Sequence, residues 1–125
     1  MSRSLKELIY TAESKEAAVM EKKEGHLPKI EAPDTVKAGE PFQVKVKVGP
    51  HPNQVQHSIR RIELWFSEEG RAYNPIRLAT IELEPVYAEP EVTVTVTLQK
   101  SGTLHALAYC NLHGVWESTK DIKVQ

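Results

Sequence analysis

Cys110 and His113 stand three apart in the segment Cys110-Asn111-Leu112-His113-Gly114, and four more histidines lie at positions 26, 51, 57 and 105. A thiolate and an imidazole at this spacing can reach one metal ion from a strand end, and the pair suits zinc, copper or iron. By itself the pair is a weak signal. The only cysteine of a chain is as often a buried apolar residue or a reactive thiol as a ligand. His51 and His57 add weight, because they bracket one short loop beginning His51-Pro52-Asn53. Core packing gives no reason for two imidazoles there. His26 precedes Leu27-Pro28 at the exit of a charged helical segment.

His26, His51, His57, His113 and Cys110 make five candidate ligands. A closed structural zinc site uses four. Five leave one octahedral position open, as a redox iron needs in order to meet a small molecule. Four neutral imidazoles and one thiolate leave ferrous iron with a net positive site, which attracts a small anion. The thiolate donates electron density and favours giving up an electron. The set points to one-electron chemistry on a small anion.

A scaffold must bring these groups together. From Pro28 onward the apolar residues alternate with a period of two. Phe42, Val44, Val46 and Val48 form one set, and Ile62, Leu64 and Phe66 another. Val92, Val94, Val96 and Leu98 alternate with threonines, and Leu104, Ala106, Ala108 and Cys110 form the last set. Turn residues such as Gly49-Pro50, Glu69-Gly70 and Ser101-Gly102 separate the runs. This predicts an all-β fold, an immunoglobulin-like antiparallel β-sandwich of roughly seven strands. His26, His51, His57 and His113 then fall in loops or at strand ends, where sites are usually built. His105 lies mid-strand with the parity opposite to Cys110, so it belongs to the other face of its sheet and is left out of the site.

Residues 1–23 read as a short helical arm. Ser4 and Glu7 fit a capping box, Leu5, Leu8, Ile9 and Ala12 repeat at helical spacing, and a second run over residues 15–23 stops near Gly25. Residues 24–125 are then the iron-binding β-sandwich domain.

The length of 125 residues is that of a single domain with a modest core. Sixteen basic and 17 acidic residues give a net charge of -1, without the basic excess of a nucleic-acid binder. Lysines and glutamates are interspersed, so no basic patch for a membrane surface is present. No apolar run is long enough to span a bilayer, and Lys6 and Glu7 interrupt the place where a signal peptide needs an apolar core. With one cysteine and no disulfide framework, the chain is expected in the cytoplasm.

Three motifs resemble those of the superoxide reductase family, which includes neelaredoxin and the iron domain of desulfoferrodoxin. They are Glu24-Gly25-His26-Leu27-Pro28, His51-Pro52-Asn53 through His57, and Tyr109-Cys110-Asn111-Leu112-His113-Gly114-Val115-Trp116-Glu117. The last is the most specific. The resemblance implies one mononuclear iron per chain, with His26, His51, His57 and His113 as equatorial ligands and Cys110 as the axial thiolate. It implies that Glu24 binds the ferric ion opposite the sulfur, making Glu24 and Cys110 the catalytic pair. It implies reduction of superoxide to hydrogen peroxide without oxygen release, an electron donor such as rubredoxin, and a dimer or tetramer. Two second-layer roles are also expected: Trp116 as an apolar anchor for the Cys110 loop, and Asn111 as a hydrogen-bond donor to the sulfur.

This chain departs from the family pattern in three ways. Gly25 stands where the family usually has a lysine that attracts superoxide, which leaves Lys22 or Lys23 to take that part. The segment before His51 is short. The four-cysteine second domain of two-iron members is absent, so a one-iron form is expected. Two rival readings remain open. One is a cupredoxin-like electron-transfer protein, although the only methionines are Met1 and Met20 and none follows His113. The other is a metal-free immunoglobulin-like binding module.

Overall fold

The computed structural model describes residues 2–125. Eight strands follow three one-turn helices. The helices are α1 (Leu5–Leu8), α2 (Ala17–Met20) and α3 (Lys23–His26). The strands are β1 (Lys29–Glu31), β2 (Thr35–Val36), β3 (Phe42–Lys47), β4 (Ile59–Glu68), β5 (Ile76–Glu82), β6 (Glu91–Val96), β7 (Gly102–Cys110) and β8 (Gly114–Val124).

Two sheets pack into a sandwich, one ordered β1-β3-β6 and the other β2-β8-β7-β4-β5. The period-two runs fall where the sequence puts them. Val44 and Val46 of β3, Ile62 and Leu64 of β4, and Leu104, Ala106, Ala108 and Cys110 of β7 all point inward and are fully buried. The alternating lysines and threonines of β3 and β6 face water, with Lys45 paired to Glu91 at 2.6 Å. Such exposed pairs contribute little, so the apolar inner faces hold the sandwich together. All pairings of named strands are antiparallel except the two-residue contact of β2 with β8, which is parallel. The sequence did not mark β1, β2, β5 or β8 by alternation.

The N-terminal segment is less helical than its sequence suggests. Ser4 makes no side-chain hydrogen bond to the backbone as N-cap, and the helical stretch stops after Leu8. The reason is competition. Tyr10 N donates to Val115 O and Glu117 N donates to Tyr10 O, so Tyr10 runs alongside β8 as a strand residue. A single helical turn gains too few bonds to outweigh that pairing. Leu5 and Leu8 remain exposed. Among the described residues no helix is long and apolar enough to cross a membrane.

The hairpin between β7 and β8 sets up the site. Cys110 pairs with Gly114, leaving Asn111, Leu112 and His113 as a three-residue loop. Gly114 has φ +83°, the left-handed conformation that closes such a loop and that glycine adopts at no steric cost.

Candidate metal centre

Three segments converge at one end of the sandwich. α3 supplies His26, the loop after β3 supplies His51 and His57, and the β7–β8 hairpin supplies Cys110 and His113. Ligand atoms of His26, His51, His57 and Cys110 all lie within 4.8 Å of one another. His113 stands outside that tight group but closes the arrangement, with Nδ1 3.6 Å from Cys110 Sγ.

The four imidazoles form a ring in which each touches two neighbours edge to face. Centroid distances are 4.6 Å for His26–His51, 4.7 Å for His51–His57, 5.1 Å for His57–His113 and 5.0 Å for His113–His26. Interplanar angles run from 69° to 90°.

The protonation pattern follows from the hydrogen bonds. His26 Nδ1 lies 2.9 Å from Lys22 O, and His51 Nδ1 lies 2.7 Å from Pro52 O. A carbonyl only accepts, so each Nδ1 carries the proton and each Nε2 presents a lone pair. Those two Nε2 atoms face each other at 3.1 Å. His57 Nε2 is buried without any partner. Buried polar atoms in native proteins are almost always paired, and three inward-facing nitrogens without a donor call for a cation between them. Two ligand nitrogens at right angles around one metal, each about 2.1 Å from it, would sit about 3 Å apart, the separation found here. The donor set thus fits one metal ion.

Electrostatics agree. Burial first, then its imidazole neighbours, push His26 down from an ordinary 6.5 to about 4. Burial also lowers His51, reinforced by His57 and His113. His113 is lowered by burial and then by the Lys22 ammonium. Neutral imidazoles are the form that binds metal.

Other candidates separate clearly. Glu24 is exposed on α3 and is not a member of the compact group. Lys23 Nζ donates to Ala12 O at 2.7 Å and is turned toward the N-terminal segment. Lys22 instead lines a depression with Leu112, His113 and Trp116. Trp116 is 1% exposed, donates from Nε1 to His113 O at 3.0 Å and packs on the His26 ring at 4.9 Å. It anchors two ligand segments together, as the sequence suggested for one. Met20 is exposed, with its sulfur against Lys23 Nζ, and supplies no axial ligand of the cupredoxin kind.

Asn111 corrects the sequence reading. Its side chain does not serve the sulfur. It accepts from Ser58 N and donates to Gln56 O, both at 2.9 Å, and so grips the backbone on either side of His57. Asn53 makes a similar clasp, accepting from Val86 N at 2.7 Å and donating to Ala88 O at 3.3 Å. Asparagines beside ligands, at two positions after His51 and one after Cys110, were the available signal, because this side chain bridges loop backbone readily.

His105 lies on the outer face of the five-stranded sheet, as its parity requires. It bridges Ser67 Oγ at 2.8 Å and Glu117 Oε2 at 3.1 Å. The order serine, imidazole, carboxylate resembles a hydrolytic triad. However, Ser67, His105 and Glu117 sit in paired strands whose backbone is committed to the ladder. No pair of free amides is left to hold an oxyanion, so the network is a cross-strand tie.

The desulfoferrodoxin family model matches residues 18–119. The chain belongs to that family. The match takes in every ligand candidate named above. Within the family's range, the chain is 41% identical over 104 residues to the superoxide reductase of Thermococcus kodakarensis, covering 78% of this chain and 86% of that one. It is 34% identical over 119 residues to the neelaredoxin of Megalodesulfovibrio gigas, covering 83% and 91%. The solved superoxide reductase (neelaredoxin) of Ignicoccus hospitalis superposes with a TM-score of 0.93 at 58% identity, over 98% of this chain and 100% of that one. Family membership and the imidazole ring count against both rival readings, the copper carrier and the metal-free module.

Proposed function

We propose that this chain reduces superoxide to hydrogen peroxide at one mononuclear iron held by Nε2 of His26, His51 and His57, Nδ1 of His113 and Sγ of Cys110. The observation that carries this reading is the closed ring of four imidazoles with a thiol beside it and inward lone pairs left unpaired. When bound, the iron would supply the single electron and an open position for the anion.

The chain's own groups do the rest. The Nδ1–H bonds of His26 and His51 to carbonyls lock the tautomer and ring orientation. Cys110, fully buried at the end of β7, is shielded from water and contributes one negative charge against four neutral rings. With a divalent iron held by these groups, the centre would carry a net positive charge and would attract superoxide. Superoxide takes one electron and two protons, and the product leaves as hydrogen peroxide. The protons come from solvent at the rim, where His51, His57 and His113 are partly exposed. Glu24, exposed on α3 two residues before His26, is the carboxylate proposed to bind the metal in the oxidised state.

The same reading includes an external one-electron donor such as rubredoxin, a cytoplasmic setting and a dimer or tetramer. The exposed Leu5, Leu8 and Met20 of the N-terminal segment support subunit contact.

The test is a metal count followed by the visible spectrum of the reduced protein as superoxide is added. One iron per chain, a thiolate-to-iron band that grows on oxidation, and no oxygen evolved are expected. Cys110→Ser should abolish the band. Copper as the native metal, or no uptake of ferrous iron, would overturn the proposal.

A further inference from the structure

His57 differs from the other ligand candidates. His26 and His51 are each fixed by a ring hydrogen bond to a carbonyl, and His113 by the Trp116 bond to its own carbonyl. No ring hydrogen bond fixes His57 among the described residues, and its buried Nε2 is free. Its placement must therefore come from the backbone that carries it.

That backbone is gripped by Asn111. Oδ1 accepts from Ser58 N and Nδ2 donates to Gln56 O, so the two bonds straddle His57. The main chain adds a third contact, Asn111 N to Ser58 O at 3.4 Å. Other ties hold the loop too. Gln54 and His57 exchange backbone bonds at 2.9 and 3.1 Å, and Arg60 reaches Ser58 Oγ and Val55 O. Each of those stays within residues 54–60. Asn111 alone in this set comes from another ligand segment, directly after Cys110 in sequence.

We infer that Asn111 is a positioning residue that couples the thiolate of Cys110 to the imidazole of His57. It sets the two ligands in one frame, substituting for the ring hydrogen bond that His57 lacks. Outer groups that orient ligands typically change metal affinity roughly ten- to hundredfold when removed. The proposal rests on the metal reading of the site.

The experiment compares Asn111→Ala and Asn111→Asp with the unaltered chain, each reconstituted with ferrous iron. Iron release to a chelator and the position and width of the oxidised thiolate-to-iron band are the readouts. Asn74→Ala is the control. The Asn74 side chain clasps Glu68 and Arg71 in a loop at the opposite end of β4, with bonds of 3.0 to 3.3 Å. Asn111→Ala should release iron about ten- to hundredfold faster and broaden the band. Asn74→Ala should do neither, even where it lowers the melting temperature equally. Asn111→Asp keeps the Ser58 bond and secures a folded comparison. Its added negative charge by itself slows loss of a cation, so faster release there reports lost positioning. Unchanged release and an unchanged band in both Asn111 variants would overturn the coupling while leaving the iron centre intact. An unaltered chain that takes up no iron would overturn the metal reading and this proposal with it.

Discussion

His26 Nε2 lies 3.1 Å from His51 Nε2, and each ring has turned its Nδ1–H away, to Lys22 O and Pro52 O. Two lone pairs at that distance repel unless a cation lies between them. The ring of imidazoles is therefore built for its metal and unfavourable without it. His51→Ala should lose iron in the loaded protein. In the metal-free protein it should leave the melting temperature unchanged or higher, since it removes an unfavourable contact. Calorimetry of both forms checks this. A metal-free variant that melts well below the metal-free parent would count against the argument.

Metal removal should itself destabilise the fold, because a ligand bound only by the native state stabilises it by mass action. Chelation is expected to lower the melting temperature, and ferrous iron to restore it. The same melting temperature with and without iron would show that the centre is not coupled to folding.

Acid should act on the same groups. The unfolded chain protonates its imidazoles near 6.5, whereas folded, metal-free His26 does so only near about 4. Between those values the unfolded state binds more protons, so stability rises with pH across the interval. Acidification from 6.5 toward about 4 should then weaken the metal-free fold, with His51 and His113 acting in the same direction. Denaturation midpoints measured across that interval test this. A flat profile would sink it.

Lys22 and Lys23 should not be equivalent. Lys22 shares a depression with His113 and lowers its basicity, while Lys23 is tied to Ala12 O. Lys22→Ala should slow the second-order reaction with superoxide several-fold and flatten its salt dependence. That loss is part of the roughly 10- to 1000-fold that electrostatic steering can supply. Lys23→Ala should leave both unchanged. Pulse radiolysis at varied ionic strength separates them, and equal effects would refute the assignment.

Gly25 has a steric reason for being glycine. A Cβ there would meet Pro50 O at 3.0 Å, a contact tighter than side chains normally make. Placing the family's usual lysine at this position would press α3 against the loop that carries His51. Gly25→Ala and Gly25→Lys should both weaken iron retention, and only the lysine should raise the rate with superoxide. Retention like the parent's in both variants would show that the loop gives way freely.

Much of the sandwich was legible in the sequence. Strands β3, β4, β6 and β7 carry strict apolar alternation, and the period of two assigns each residue to a face. The same parity put Cys110 inward and His105 outward. β8 was not legible, because only Trp116 and Ile122 are buried there, among charged and polar neighbours that mask the alternation. The N-terminal arm keeps only single helical turns at Leu5–Leu8 and Ala17–Met20, because the periodicity of Leu5, Leu8 and Ile9 says nothing about the β8 backbone that captures Tyr10.

The sequence by itself determined the candidate donors: one thiol, four imidazoles outside the alternating strands, and motifs resembling those of the family. Residue type and order are local facts, and metal preference depends on type. Only the tertiary structure decided the geometry. It closed four rings from three separate segments and chose which nitrogen of each faces inward. It also turned Asn111 from the sulfur to the backbone around His57. These are contacts between residues far apart in sequence: Asn111 lies 55 positions from Gln56, and the His26 ring meets that of His113 across a still longer stretch of chain. Such contacts exist only once both sheets have buried their apolar faces and fixed where the loops emerge.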